Sequence, residues 1–143
     1  MSVRVAKSAG FCFGVSRAVE LVEQAAKAGK KVVTLGPIIH NHHVVDKFRA
    51  LGVEVIDAPE QACPGQTVII RSHGVSRAVY EELQRRGVEL IDATCPFVKR
   101  LPGIVSRAEE EGQLPVIIGT PTHPEVEGIA GWCRDCRVFE TLD

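Results

Sequence analysis

Two hydrophobic periods alternate along this 143-residue chain. Short β-branched runs at residues 3–6, 32–35, 53–56, 67–70, 88–91, 116–118 and 137–140 predict strands. Between them the apolar residues recur at helical spacing, as in Val15, Ala18, Val19, Val22, Ala25 and Ala26. That spacing predicts helices over residues 15–28, 44–51, 76–86 and 97–111, the first three stopped by Gly29, Gly52 and Gly87. Pro102 is expected to break or kink the fourth, and a short helix is expected after Pro124.

Strand alternating with helix predicts an α/β fold with mostly parallel sheets covered by helices on both faces. Ligands in such folds collect beyond the carboxyl ends of the strands. Cys12, His40, His73, Cys95 and His123 all fall in loops that follow predicted strands. Parallel strands would bring these five to one edge, among helix N-termini with free backbone N–H groups. The pattern therefore describes an anion site with thiols beside it.

The spacing also repeats. Cys12 and Cys95, Gly36 and Gly119, and His40 and His123 are each 83 positions apart. Two copies of one structural unit are expected, each presenting a thiol and an imidazole to a shared centre. The first α/β lobe would take residues 1–93 and a partial second lobe 94–143. Since the second copy stops short, the chain is expected to be a fragment or to be completed by another chain. A second repeat is local: Gly14-Val-Ser-Arg-Ala-Val19 recurs as Gly74-Val-Ser-Arg-Ala-Val79. Both copies are expected to open a helix, with Ser16 and Ser76 as N-caps.

Composition narrows the function classes. The net charge of -1 provides no global positive field for nucleic acid. No apolar run approaches membrane-spanning length, and no secretory signal opens the chain. Five cysteines without such a signal point to a reducing cytoplasm, where thiols serve metals or redox chemistry.

The candidates differ in weight. Glycines flank Cys12 and let the backbone wrap closely, while Pro96 suits a helix start just after Cys95. A thiol at a helix N-terminus favours thiolate, a soft metal ligand. Cys133 and Cys136 form a Cys-x-x-Cys pair, half a zinc site or a redox pair, with no further ligands following it. Cys63 reads as incidental, and His42 and His43 as solvated residues at a helix start. Glu125, two residues after His123, reads either as a general acid or as a first-turn carboxylate complementing the helix dipole. Glu127 fits the dipole role.

Gly-Phe-Cys12-Phe-Gly-Val, His40-Asn41, Ser72-His73-Gly74-Val75, Asp92-Ala-Thr-Cys95-Pro and His123-Pro-Glu125-Val stand in order over nearly the whole chain. Together they resemble the 4-hydroxy-3-methylbut-2-enyl diphosphate reductase family (IspH/LytB). The resemblance implies reductive dehydroxylation of an allylic diphosphate to isopentenyl and dimethylallyl diphosphates, the last step of the non-mevalonate isoprenoid pathway. It implies a 4Fe-4S cluster on three cysteines, with Cys12 and Cys95 matching two of them. It implies that His40, His73 and His123 bind the diphosphate and that Glu125 donates a proton. An external electron donor such as ferredoxin or flavodoxin is implied, as is a three-lobed α/β protein whose third lobe lies outside this chain. The chain departs from the family pattern in having no match for the third cysteine, and at Pro102, where the family tends to have histidine. Thr120-Pro121-Thr122 is a further loop departure. Two other readings stand beside this one: a non-catalytic zinc- or thiol-binding α/β module using Cys133 and Cys136, and an anion-binding α/β domain without a cluster.

Overall fold

The computed structural model of the protein describes residues 2–142. Four β-branched segments form a parallel sheet: β1 (Val32–Leu35), β2 (Glu54–Ile56), β3 (Thr67–Ile70) and β4 (Glu89–Asp92), in the order β2-β1-β3-β4. β1 and β3 are buried along their whole length, as expected of central strands covered on both faces. Alternate residues feed two cores. Val32, Ile69 and Ile91 face α1 (Phe13–Lys27) and α2 (His42–Ala50), where Ala18, Val22 and Phe48 are buried. Val33, Leu35, Val68 and Ile70 face α3 (Arg77–Arg85), whose Leu83 is fully buried. Burying one such leucine contributes about 1.5–3 kcal/mol.

A smaller parallel pair, β5 (Val116–Ile118) and β6 (Arg137–Phe139), follows α4 (Arg100–Glu110) and flanks α5 (Pro124–Ala130). Its register repeats that of the first unit. Val33 pairs with Glu54 and Val116 with Arg137, both shifted by the same 83 positions. The N–H of Gly36 donates to Ile56 O and that of Gly119 to Phe139 O, each at 2.8 Å. The β1-α2-β2 and β5-α5-β6 segments are therefore two copies of one unit, as the sequence spacing leads one to expect.

The chain leaves β1 toward β2 on one side, while β3 lies on the other. A crevice of this kind, where strand order reverses, is where open parallel sheets bind ligands. The loops after β1 and β3, which carry His40 and His73, flank it.

Three local expectations are corrected. Residues 3–6 form no strand, and Val3 and Val5 are exposed. Alternation alone makes no ladder without a neighbouring strand, and none pairs there among the described residues. Cys12 consequently follows no strand. Ser16 is no N-cap: α1 starts at Phe13 with Cys12 at the N-cap position, and Ser16 lies inside the helix. Pro102 neither breaks nor kinks α4, because that helix begins only at Arg100. Proline in a first turn forfeits no intrahelical bond.

Candidate functional site

Each histidine of the crevice is positioned by a different loop. His40 follows the buried pair Ile38 and Ile39, and the next residue, Asn41, caps α2 by accepting from Val44 N–H at 3.3 Å. His73 follows buried Ser72, whose hydroxyl donates to Ile38 O at 3.4 Å and ties the two loops together. Gly74 then turns the chain with φ of +75°, a conformation that favours glycine. His123 is itself the N-cap of α5, its Nδ1 accepting from the Glu125 N–H at 3.2 Å. That bond puts the other ring N–H on Nε2, free to donate outward.

These loops bring the three imidazoles together. The ring centroids of His40 and His73 are 5.6 Å apart, and those of His73 and His123 are 5.8 Å apart, edge to face. His73 is the middle ring. Burial lowers its pKa below the usual 6.5, Arg71 and the two flanking imidazoles lower it further, and Glu125 opposes them. Its Nδ1 is buried without a hydrogen-bond partner. Three neighbouring imidazoles, with the charge of Arg71 acting on the middle one, can together offer donors to an anion.

The Cys95 loop is bonded to the His73 loop, and the start of α1, with Cys12 at its N-cap, packs against Cys95. Cys12 O accepts from Ser16 N–H and Cys95 O from Lys99 N–H, both at 2.9 Å, so each cysteine opens a helical turn in its copy of the repeat. A Cβ added to Gly14 would lie 2.6 Å from Cys95 Sγ, so the start of α1 and the Cys95 thiol are in direct contact. Cys95 is tied to the histidine loop by its own N–H, which donates to Ser72 O at 2.9 Å. The Cys95 loop is clamped twice. Arg17 donates to Thr94 O and Asp92 O, both at 3.3 Å. Asp92 accepts from Thr94 N–H at 2.9 Å and from Lys99 Nζ at 2.6 Å. Burial raises the Asp92 pKa, but those two partners outweigh it and hold the carboxyl below its ordinary value.

Cys12 and Cys95 are both free, the first exposed and the second half-buried. Cys63 is exposed at the opposite end of the sheet, ahead of β3. Cys133 and Cys136 lie between α5 and β6, also away from this edge. His42 and His43 start α2 with their rings against each other. Glu125 is half-buried in the first turn of α5, two residues after the His123 cap, and Glu127 lies two residues further along, facing Arg71 electrostatically. No three His, Cys, Asp or Glu side chains among the described residues form a closed metal cage. Among the described residues, none joins Cys133 and Cys136 to complete a tetrahedral zinc site. Sequence reasoning missed Arg17, Arg71 and the Gly14–Cys95 contact. Arg71 carried a signal, a charge placed directly after the apolar strand β3; the other two carried none, because their partners lie far along the chain.

The family model described as LytB protein matches residues 3–143. The chain belongs to the LytB family. A curated LytB relative named 4-hydroxy-3-methylbut-2-enyl diphosphate reductase, from Thermoanaerobacter sp. (strain X514), is 47% identical over 139 residues, covering 94% of this chain and 48% of the relative. A solved structure of (E)-4-hydroxy-3-methyl-but-2-enyl diphosphate reductase, the terminal enzyme of the non-mevalonate pathway, superposes with a TM-score of 0.85 at 45% identity. That match covers 98% of this chain and 51% of the other. The structure of the E-1-hydroxy-2-methyl-but-2-enyl-4-diphosphate reductase from Plasmodium falciparum superposes with a TM-score of 0.90 at 30% identity, covering 95% and 43%. The chain spans about half the length of the LytB relatives it matches. No helix among the described residues is long and apolar enough to cross a membrane.

Proposed function

We propose that the protein acts in the reductive dehydroxylation of 4-hydroxy-3-methylbut-2-enyl diphosphate, which yields isopentenyl and dimethylallyl diphosphates. In this reading residues 1–93 are a first lobe, residues 94–143 part of a second, and the rest of the active site comes from outside these residues. The observation that carries it is the juxtaposition of His40, His73 and His123, whose rings come from three loops to within 6 Å centroid to centroid. Their N–H groups bind the diphosphate oxygens, and Arg71 adds positive potential from behind. Binding an anion there favours a protonated His73, which burial otherwise opposes. Glu125 donates a proton as the allylic C–O bond breaks, a reading supported by its place two residues after His123 and by its charge acting on His73.

Cys12 and Cys95 fit as two ligands of a 4Fe-4S cluster: both are free thiols, both open helical turns, and Gly14 leaves the Cys95 sulfur its space. A third ligand comes from outside these residues. When bound, the cluster supplies electrons one at a time and a Lewis-acidic iron for the substrate hydroxyl. A small external redox protein, such as ferredoxin or flavodoxin, refills it in the cytoplasm. Anaerobic reconstitution with iron and sulfide tests the assignment. Weak cluster absorption is expected, lost in Cys12→Ser and Cys95→Ser and kept in Cys133→Ser. Absorption that survives both of the first two substitutions would overturn it.

A further inference from the structure

The segment from Cys133 to Cys136 takes no part in the site above, yet it is built with care. The chain bends at Cys133, Arg134 and Asp135 in succession, between the end of α5 and the start of β6. The two intervening residues are exposed and the two cysteines half-buried, and the Cys136 thiol lies close enough to act on that of Cys133. The bend is anchored: Arg134 N–H donates to Glu109 of α4 at 2.6 Å, and Cys133 Sγ donates to Ala130 O at 3.4 Å. We propose that Cys133 and Cys136 form a reversible dithiol–disulfide pair, a redox site that reacts with low-molecular-weight disulfides.

The exchange balances without a metal. The Cys136 thiolate attacks one sulfur of a small disulfide, forming a mixed disulfide and releasing one small thiol. The Cys133 thiol then loses its proton and attacks the Cys136 sulfur, closing the protein disulfide and releasing the second thiol. The protein loses two electrons and two protons, and the small disulfide gains them. The order follows from the surroundings of Cys133. Burial, the adjacent Cys136 sulfur and the nearby carboxylates of Glu109 and Asp135 push its pKa up to about 11, so it is the second sulfur to react.

The pair also adjoins a structural joint. Trp132 O accepts from Ser106 of α4 at 2.8 Å and from Arg77 of α3 at 3.2 Å, and the indole N–H donates to Val75 O at 2.8 Å. Trp132 walls a cavity of about 390 Å³ that His73 also borders. Closing the disulfide fixes the turn next to that joint.

Trp132 is the one tryptophan of the chain, so its emission reports on the pair. The 143-residue chain would be incubated anaerobically with glutathione disulfide at graded ratios to reduced glutathione, then alkylated and mapped by mass spectrometry. A peptide linking Cys133 to Cys136 and lighter by two hydrogens is expected. Tryptophan emission should fall at the same midpoint, return with dithiothreitol and stay constant in Cys136→Ser. Recovery of Cys133 and Cys136 as free thiols, or as separate glutathione adducts, would overturn the proposal. An equal emission change in Cys136→Ser would overturn it as well.

Discussion

Six identical residues, Gly-Val-Ser-Arg-Ala-Val, stand at 14–19 and again at 74–79, and they fold differently. In the first copy all six are helical, Ser16 is interior and Ala18 is fully buried. In the second, Gly74 takes a positive φ, Ser76 caps the helix by accepting from Val79 N–H at 3.4 Å, and Ala78 is exposed. What differs is the packing around them. Ala18, Val22 and Ala25 bury one stripe of α1 against the sheet, which draws the helix start back to Phe13. α3 buries Leu83 on the other face, and Gly128 of α5 packs on the Gly74 turn. Tertiary contact thus overrides local propensity. Yet the copies do parallel work. Gly14 abuts Cys95 and Gly74 abuts Thr94, its neighbour. Arg17 reaches the carbonyls of the Cys95 loop, and Arg77 reaches the carbonyl of Trp132. Each copy fixes a different wall of the site with the same side chains.

Substitutions at matched positions can break that comparison. The largest effect is expected at the arginines. Arg17→Ala removes two part-buried charged hydrogen bonds and should cost about 2–3 kcal/mol in urea unfolding, while Arg77→Ala, at an exposed site, should cost about 1 kcal/mol. Equal costs would remove the distinction between a buried clamp and a surface one. Next come the glycines. Gly14→Ala gains helix propensity but must displace the Cys95 sulfur, for a net loss of about 1–2 kcal/mol. It should also change the iodoacetamide labelling rate of Cys95, the displaced thiol, and leave that of Cys63 unchanged. Gly74→Ala meets backbone strain of about 1–2 kcal/mol, with no effect on Cys95 labelling.

The serines separate the copies at smaller magnitude. Ser76→Ala loses a cap and should cost about 1 kcal/mol, whereas Ser16→Ala should fall within about 0.5 kcal/mol of the parent. The smallest effect is the pH dependence carried by His73. Its folded pKa lies below the ordinary 6.5, so above that pH the ring is neutral in both states and contributes nothing. As pH falls through 6.5 the unfolded chain takes up the proton first, and stability drops. His73→Gln should therefore lose less stability than the parent between neutral and mildly acidic pH, read as urea midpoints; an unchanged pH slope would contradict the burial of His73.

Much of this was legible in the sequence. The strands of the main sheet and the 83-residue repeat follow from β-branched runs and from reactive residues at fixed spacing, and both reappear in the register of β1 with β2 and β5 with β6. The convergence of the histidines followed from placing them after parallel strands. What stayed hidden depends on partners. Residues 3–6 alternate like a strand but have no neighbour to bond. Pro102 looked disruptive because the start of α4 is set by the turn after Cys95 rather than by its own apolar spacing. Nothing near Arg17 in sequence announces Asp92 or Thr94, which are more than seventy positions away.

The central claim, that three loops build one anion site, is tested most directly by imidazole nitrogen NMR of the chain during titration with inorganic diphosphate. His40, His73 and His123 should shift together with one apparent Kd, while His42 and His43, paired at the start of α2, stay in place. Shifts confined to a single imidazole, or spread evenly over all five histidines, would contradict it.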